Sequence, residues 1–155
     1  VPSAVGGTPL SRWMPGCDLY ENALANAHRA LADGELKAIL WHQGEADAQD
    51  SELAESYGQR LSTMVAALRT ALDAPTVPFI AGGLGDFLAD HATCIHYKIV
   101  NEALQNLALP ACGFASASGL EHLGDGIHFS SGALREFGRR YAGEFLRVSA
   151  AKNKS

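Results

Sequence analysis

A length of 155 residues suits a single domain with a substantial hydrophobic core. With 47% hydrophobic and 19% charged residues, the composition is typical of a soluble globular protein and excludes a disordered or fibrous one. A net charge of −5 without a basic cluster argues against nucleic acid and anionic membrane surfaces as partners. No apolar run approaches the roughly 20 residues needed to span a bilayer.

The cysteines of the sequence are Cys17, Cys94 and Cys112, an odd number without CxxC spacing. Such a pattern indicates neither a disulfide framework nor a structural zinc site, so we expect free, mostly buried thiols. No targeting pattern in the sequence chooses between a cytoplasmic and a secreted location, and both stay open.

The predicted elements alternate between strand and helix. Residues 1–8 read as the end of a strand that runs into a glycine turn, so we expect the sequence to begin inside the fold. A helix over 18–31 follows, with Asp18 and Glu21 as a capping box, and then a mostly buried strand over 36–41. The remaining predicted elements are a helix over 51–72, a strand over 77–81, a helix over 89–107, a strand over 111–115 and a helix over 131–149.

Strict alternation of strand and helix predicts right-handed βαβ crossovers, a parallel sheet and helices on both of its faces. The predicted fold is therefore a three-layer α/β/α sandwich. Helical spacing places Ile95 of the third helix, and Leu134 and Phe137 of the last, on core-facing sides. We expect one domain over residues 1–150 and a disordered tail over 151–155.

The stretch Trp41-His42-Gln43-Gly44-Glu45 comes directly after a predicted strand. In open α/β sheets the ligand crevice lies just beyond the carboxyl ends of the strands, so we expect chemistry here. The amide of Gln43 could donate to an oxyanion, and Glu45 could accept from a histidine or a sugar hydroxyl. A solvated amide and an acid at a helix terminus are the plainer alternatives.

The loop before the last helix contains Asp125-Gly126-Ile127-His128-Phe129. In a turn, Asp-x-x-His lets the carboxylate of Asp125 reach Nδ1 of His128, which leaves Nε2 free as a general base. A helix-capping Asp beside a surface His would give the same pattern. Near the start of the sequence, Gly6 and Gly7 could present backbone N–H groups to an oxyanion or form only a turn.

Two tryptophans could stack on a sugar ring. Trp41 ends a buried strand, which favours core packing, whereas Trp13 lies in a loop after the glycine turn, where substrate stacking and core packing are both open. We take Trp13 and His42 as the candidate substrate contacts.

Two groups of residues could suggest a metal. The histidines and the cysteine within 91–96 do not share one helix face and lack a second group of ligands. His42, Glu45 and His128 would make a metal hydrolase, which is the weaker alternative. We therefore expect no metal and no cofactor.

The strings Gly-Gly-Thr at 6–8, Trp-His-Gln-Gly-Glu-x-Asp at 41–47 and Asp-Gly-Ile-His-Phe at 125–129 occur in that order. Together they resemble the SGNH hydrolase superfamily, and most of all the carbohydrate acetylesterases of family six and the related sialic-acid-specific acetylesterase (SASA) domain. The resemblance covers essentially the whole sequence. It implies a flavodoxin-like α/β/α fold and removal of acetyl groups from O-acetylated carbohydrates.

The resemblance also implies roles for individual residues. His128 matches the catalytic base, Asp125 the acid that orients it, and Glu45 a second or alternative acid partner. The mechanism would be a serine acyl-enzyme cycle, with attack on the acetyl carbonyl and later hydrolysis by water. The predicted oxyanion hole consists of Gln43, Gly6 and Gly7.

The sequence departs from the family pattern at the nucleophile. The family carries its serine in a Gly-Gln-Ser-Asn string at the end of a first strand, and neither that string nor the first strand and helix occurs here. Ser130 and Ser131 are more simply N-caps of the last helix. We expect the C-terminal portion of an esterase whose serine comes from a segment upstream of residue 1 or from a second chain. The alternative is an inactive, carbohydrate-binding domain on the same fold.

Overall fold

In the described part of the chain, three short parallel strands form the central sheet. A computed structural model describes residues 1–152 and contains β1 (Ile39–Trp41), β2 (Phe79–Gly82) and β3 (Cys112–Ala115). The strands lie in the order β1-β2-β3, and both pairs are parallel. All three strands therefore end at the same edge of the sheet, as the alternating pattern predicts.

Within residues 1–152, four α-helices surround the sheet and three short 3-10 helices lie in the loops. Helix α4 continues two residues into the predicted tail, whose residues 153–155 lie outside the described part of the chain. None of the helices within residues 1–152 combines the length and the apolar character that crossing a bilayer requires. The α-helices are α1 (Asp18–Leu31), α2 (Ser51–Ala71), α3 (Tyr97–Gln105) and α4 (Ser131–Lys152), and the 3-10 helices are Leu10–Trp13, Asp47–Gln49 and Asp86–Asp90.

The two faces of the sheet belong to different hydrophobic clusters. Phe79 and Ala81 of β2 pack with residues of α1, α2 and α3, whereas Ile80 between them packs with residues of α4. Successive side chains of a strand point to opposite faces, so one buried strand serves both clusters. This arrangement confirms the predicted three-layer α/β/α architecture.

The third helix is shorter than predicted. Residues 86–90 form a 3-10 helix, and α3 begins only at Tyr97. Between them, Nδ1 of His91 accepts a hydrogen bond from the backbone N–H of Cys94, an arrangement that closes a local turn in place of a helical one. Ile95 is 66% exposed, so its predicted place in the core is wrong.

Two further local predictions are wrong. The capping box at α1 does not form, because Cys17 is the N-cap residue while Asp18 pairs with the guanidinium of Arg12. On α4, Phe137 is buried as predicted, but Leu134 is 56% exposed and the neighbouring Ala133 faces the core. Periodicity defines the core-facing side of a helix to within about one residue, so the predicted apolar face of α4 is shifted by one position here.

Strand β1 is an edge of the sheet and is only partly covered. It is shorter than predicted, and its central residue Leu40 is 62% exposed although its partner in register, Ile80, is fully buried. Helix α4 packs over β2 and β3 on this face. The prediction of a mostly buried first strand is therefore wrong for Leu40.

All three cysteines are free, but only Cys94 is fully buried.

Candidate active site

The loops that follow the strands meet at the carboxyl edge of the sheet. The ring of His42, directly after β1, lies 5.6 Å from the ring of Phe129, which follows His128 in the loop before α4. The ring of Phe87, after β2, lies 5.1 Å from the same phenylalanine. The structure thus brings together the two strings that the sequence singled out.

His128 and Asp125 form a hydrogen-bonded pair. Oδ2 of Asp125 lies 2.7 Å from Nδ1 of His128, while Oδ1 accepts the backbone N–H groups of His128 and Ile127 at 2.9 and 3.1 Å. These bonds, first the backbone N–H of His128, then its imidazole and the backbone N–H of Ile127, hold the pKa of Asp125 well below its ordinary value. The imidazole side chain is 72% exposed and open to a reactant.

The loop that carries this pair is held by a histidine that the sequence did not indicate. Nδ1 of His122 accepts the backbone N–H groups of Gly124 and Gly126 at 3.0 and 3.1 Å. Both glycines have positive φ, +119° and +77°, which other residues rarely adopt. His122 also bridges to Phe129, so the loop closes on itself around His128. In the sequence, the two glycines that follow His122 at i+2 and i+4 are the signal that could have indicated this turn.

Glu45 contacts His42. Oε1 of Glu45 lies 3.5 Å from Nε2 of His42, whereas the carboxylate that pairs with His128 within residues 1–152 is that of Asp125. Burial raises the pKa of the Glu45 carboxyl, but the hydrogen bond and charge of His42 act the other way, and the net pKa lies below its ordinary value. The sheet edge therefore holds two separate histidine–carboxylate pairs.

The amide of Gln43 is buried in a network of hydrogen bonds. Its Nε2 donates to the backbone oxygen of Thr8 at 3.1 Å and to Oδ2 of Asp47 at 2.8 Å. The hydroxyl of Tyr57 lies 2.9 Å from Oε1 of Gln43 and 2.8 Å from its backbone oxygen. Asp47 belongs to the family string at 41–47, but no pattern in the sequence predicts its polar partners or those of Tyr57.

Two glycines of the predicted site have different backbone requirements. Gly44 has a φ of +150°, and a methyl group there would lie 2.7 Å from Cγ1 of Val100, which explains why glycine separates Gln43 from Glu45. Gly7 has a φ of +69° and forms an exposed turn with Gly6, where a methyl group added at either residue would meet no atom within 4 Å.

Trp13 lies in the core of the structure. It is 8% exposed, its Nε1 donates to Oγ1 of Thr8 at 3.0 Å, and its ring meets Trp41 edge-on with centroids 5.4 Å apart. The Trp13 ring therefore helps to fix the turn that precedes it. A contact between Trp13 and substrate stays a prediction.

No serine hydroxyl within residues 1–152 is hydrogen-bonded to the His128 imidazole. Ser130 instead accepts the backbone N–H of Ala133 at 3.1 Å, which confirms its predicted role as N-cap of α4. Among the described residues, no three His, Cys, Asp or Glu side chains are arranged to hold a metal ion.

Comparisons with known proteins show the family to which the chain belongs. The model of the carbohydrate esterase family described as sialic acid-specific acetylesterase matches residues 1–147. A probable carbohydrate esterase of Arabidopsis thaliana is 33% identical over 151 residues, which cover 94% of this chain and 54% of that protein. The chain thus spans about half the length of this relative.

Solved structures show the same fold. An Arabidopsis thaliana protein superposes with a TM-score of 0.87 at 32% identity, covering 95% of this chain and 60% of that one. NanS superposes with a TM-score of 0.76 at 20% identity, covering 90% and 56%. Together with the parallel sheet, these likenesses show an SGNH-like fold of the type found in esterases.

The chain belongs to the sialic acid-specific acetylesterase family of carbohydrate esterases. The family and the fold predicted from three short strings are therefore confirmed.

Proposed function

We propose that the chain is the C-terminal portion of a carbohydrate O-acetylesterase that cleaves acetyl esters by a Ser-His-acid mechanism. The observation that carries the proposal is the 2.7 Å contact between Asp125 Oδ2 and His128 Nδ1. When Nδ1–H donates to the carboxylate, Nε2 is left to accept a proton from a serine hydroxyl. Asp125 is proposed as the orienting acid in preference to Glu45, which contacts His42.

The proposed reaction has two halves. The serine Oγ attacks the acetyl carbonyl carbon while Nε2 of His128 accepts the hydroxyl proton. The oxyanion of the tetrahedral intermediate accepts hydrogen bonds from the N–H groups of the Gly6–Gly7 turn. The intermediate then collapses, and the bond to the sugar oxygen breaks. His128 returns its proton to that oxygen, and water then releases acetate by the same route.

The serine is proposed to come from a segment upstream of residue 1 or from a second chain. The uncovered edge of β1, with Leu40 62% exposed, supports a further strand at this position. The relative from Arabidopsis thaliana is also longer, since the match covers 54% of it. A strand parallel to β1 and beside it would end at the same sheet edge as His42 and bring its terminal residue into the site.

The proposed substrate is an O-acetylated carbohydrate, with sialate and xylan acetyl esters as the two candidates. His42 and Glu45 are partly exposed, with 34% and 28% of their side chains accessible, and the His42 ring lies beside the ring of Phe129. Polar groups next to an aromatic ring suit a sugar, which presents hydroxyls and an apolar ring face.

The full-length gene product is expected to hydrolyse p-nitrophenyl acetate, and His128→Ala is expected to lower kcat by about 10³-fold or more. His28→Ala, a histidine on α1, is the matched control and should leave kcat unchanged. Unchanged turnover in His128→Ala would refute the role of His128. Binding of acetylated sugars without turnover in the full-length wild type would favour the non-catalytic carbohydrate-binding domain.

A further inference from the structure

The carboxylate of Asp47 joins three segments of the chain. Its Oδ2 accepts the backbone N–H of Leu10 and Nε2 of Gln43, both at 2.8 Å, and its Oδ1 accepts Nη2 of Arg60 at 2.7 Å. Asp47 is 0% exposed. A buried carboxylate is tolerated only when it is paired and hydrogen-bonded, so the positions of its donors are tightly determined.

The same network reaches the glycine turn. Nε2 of Gln43 donates to the backbone oxygen of Thr8, and the Thr8 hydroxyl donates to the backbone oxygen of Val5 at 2.8 Å. The Thr8–Val5 bond spans Gly6 and Gly7, the residues proposed to supply N–H groups to the oxyanion. On the far side of Thr8, Leu10 is bound directly by Asp47.

The hydrogen bonding of Gln43 limits what its amide can do. A primary amide has two N–H donors, and here one is used by Thr8 and the other by Asp47. A direct bond from Gln43 to the oxyanion would require one of these bonds to break. The arrangement instead suits Gln43 as the link between Asp47 and the turn.

We infer that Asp47 is a positioning residue of the esterase reaction, which acts through Gln43 and Leu10 to hold the Gly6–Gly7 turn where its N–H groups meet the oxyanion. Arg60 balances the buried charge and anchors the carboxylate to α2. The inference rests on the proposed function. Asp47 is the last residue of the string Trp-His-Gln-Gly-Glu-x-Asp, and it would stabilise the transition state through the turn without contacting the substrate.

The test compares three variants of the full-length gene product on p-nitrophenyl acetate. Asp47→Ala removes all three bonds, and Asp47→Asn keeps one acceptor oxygen in nearly the same volume. Asp50→Ala is the matched control, because Asp50 accepts the backbone N–H of Leu53 at the start of α2 and lies outside the network. Hydrogen exchange at the backbone N–H of Leu10 is measured in all three variants.

Asp47→Ala is expected to lower kcat by about 10-fold to 100-fold with KM changed by less than about threefold, because a displaced turn affects the oxyanion more than ground-state binding. Asp47→Asn should lose less. Both should exchange the Leu10 amide faster than wild type, while Asp50→Ala should change neither kcat nor that exchange rate.

Wild-type kcat in both Asp47 variants, or an unchanged Leu10 exchange rate in both, would overturn the inference. An equal loss of kcat in Asp50→Ala would also overturn it, because it would show a general effect of weakening α2. Where Asp47→Ala does not fold, Asp47→Asn decides alone. A wild type without esterase activity would defeat the proposed function, whereas the exchange rate would still report whether Asp47 holds the turn.

Discussion

Two histidine–carboxylate pairs lie at the same edge of the sheet in different surroundings. The Asp125–His128 pair is formed within one loop, and the carboxylate accepts three N–H groups from two residues. The Glu45–His42 pair is longer, at 3.5 Å, and its imidazole packs against the aromatic rings of Phe129 and Phe137. The shorter and more exposed pair suits proton transfer, and the other suits contact with a ligand.

The Asp125 carboxyl is expected to stay ionised at about pH 4, where an ordinary Asp is half protonated. Its pKa in the folded state is lowered, so its stabilising effect is fully present above the unfolded-state pKa. That effect is lost only as pH falls through the lower folded-state pKa. Carbon-13 NMR of the Asp125 carboxyl group would measure the titration directly.

A titration midpoint near pH 4 in the wild type would contradict this prediction. His128→Ala is the matched comparison, because it removes the imidazole bond but keeps the backbone N–H groups of His128 and Ile127. The midpoint should therefore move upward in that variant while remaining below the ordinary value. Loss of activity at a pH well above 4 would belong to a group other than Asp125.

At the scale of elements, α4 is locked to the sheet by Tyr141. Its hydroxyl donates to the backbone oxygen of Trp41 at 2.6 Å, which ties the last helix to the strand that leads into the site. Burial raises the pKa of this hydroxyl above the ordinary range, so it acts as a neutral donor. The hydroxyl can reach β1 only because Gly82 of β2 leaves room for it.

Gly82→Ala is expected to lower the free energy of unfolding by about 1–3 kcal/mol, as overpacking of a core does. A methyl group at this position would lie 2.0 Å from the Tyr141 hydroxyl and 2.8 Å from the ring of Phe137. Denaturant unfolding of the two proteins would measure the difference.

Gly138→Ala provides the control for that measurement. Gly138 lies in α4, the helix that carries Tyr141, and a methyl group added there would meet no atom within 4 Å. The substitution should therefore stabilise the protein by about 0.5–1 kcal/mol. An unchanged free energy of unfolding in Gly82→Ala would contradict the prediction, because it would show that Tyr141 can move away at no cost.

The elements themselves followed largely from the sequence. Apolar periodicity predicted α1, α2 and α4 because each contributes side chains from one side to a hydrophobic cluster. It failed at residues 91–96, where side-chain bonding by His91 replaces the helical turn although Ile95 keeps the spacing. Local hydrogen bonds of this kind compete with a helix and leave no mark on hydrophobic periodicity.

At the scale of the whole molecule, the sheet is unevenly covered. Ile80 and Leu40 are partners in register on one face, yet Ile80 is fully buried and Leu40 is 62% exposed. The strand and helix proposed to carry the serine would cover such a leucine at the centre of an edge strand. We therefore expect the segment that carries the serine to cover Leu40.

In the full-length gene product, Leu40→Asp is expected to lower the free energy of unfolding by about 2–3 kcal/mol, because burial of a polar group in place of leucine loses apolar contact. Leu146→Asp is the matched control, since Leu146 is similarly exposed, at 65%, but lies on α4 and not on β1. Its effect should stay within about 0.5 kcal/mol. Equal, small effects of both substitutions would contradict a segment packed on β1.

The sequence by itself determined the α/β class, the family and the residues that line the sheet edge. Those features depend on local patterns: alternating strand and helix, and polar strings such as 41–47 that follow a strand. The Asp-x-x-His pattern also predicts the local contact between Asp125 and His128. Only the tertiary structure decided the distant partners: it brought Thr8 to Gln43 and Leu10 to Asp47, because hydrogen-bond partners far apart in sequence are chosen by packing.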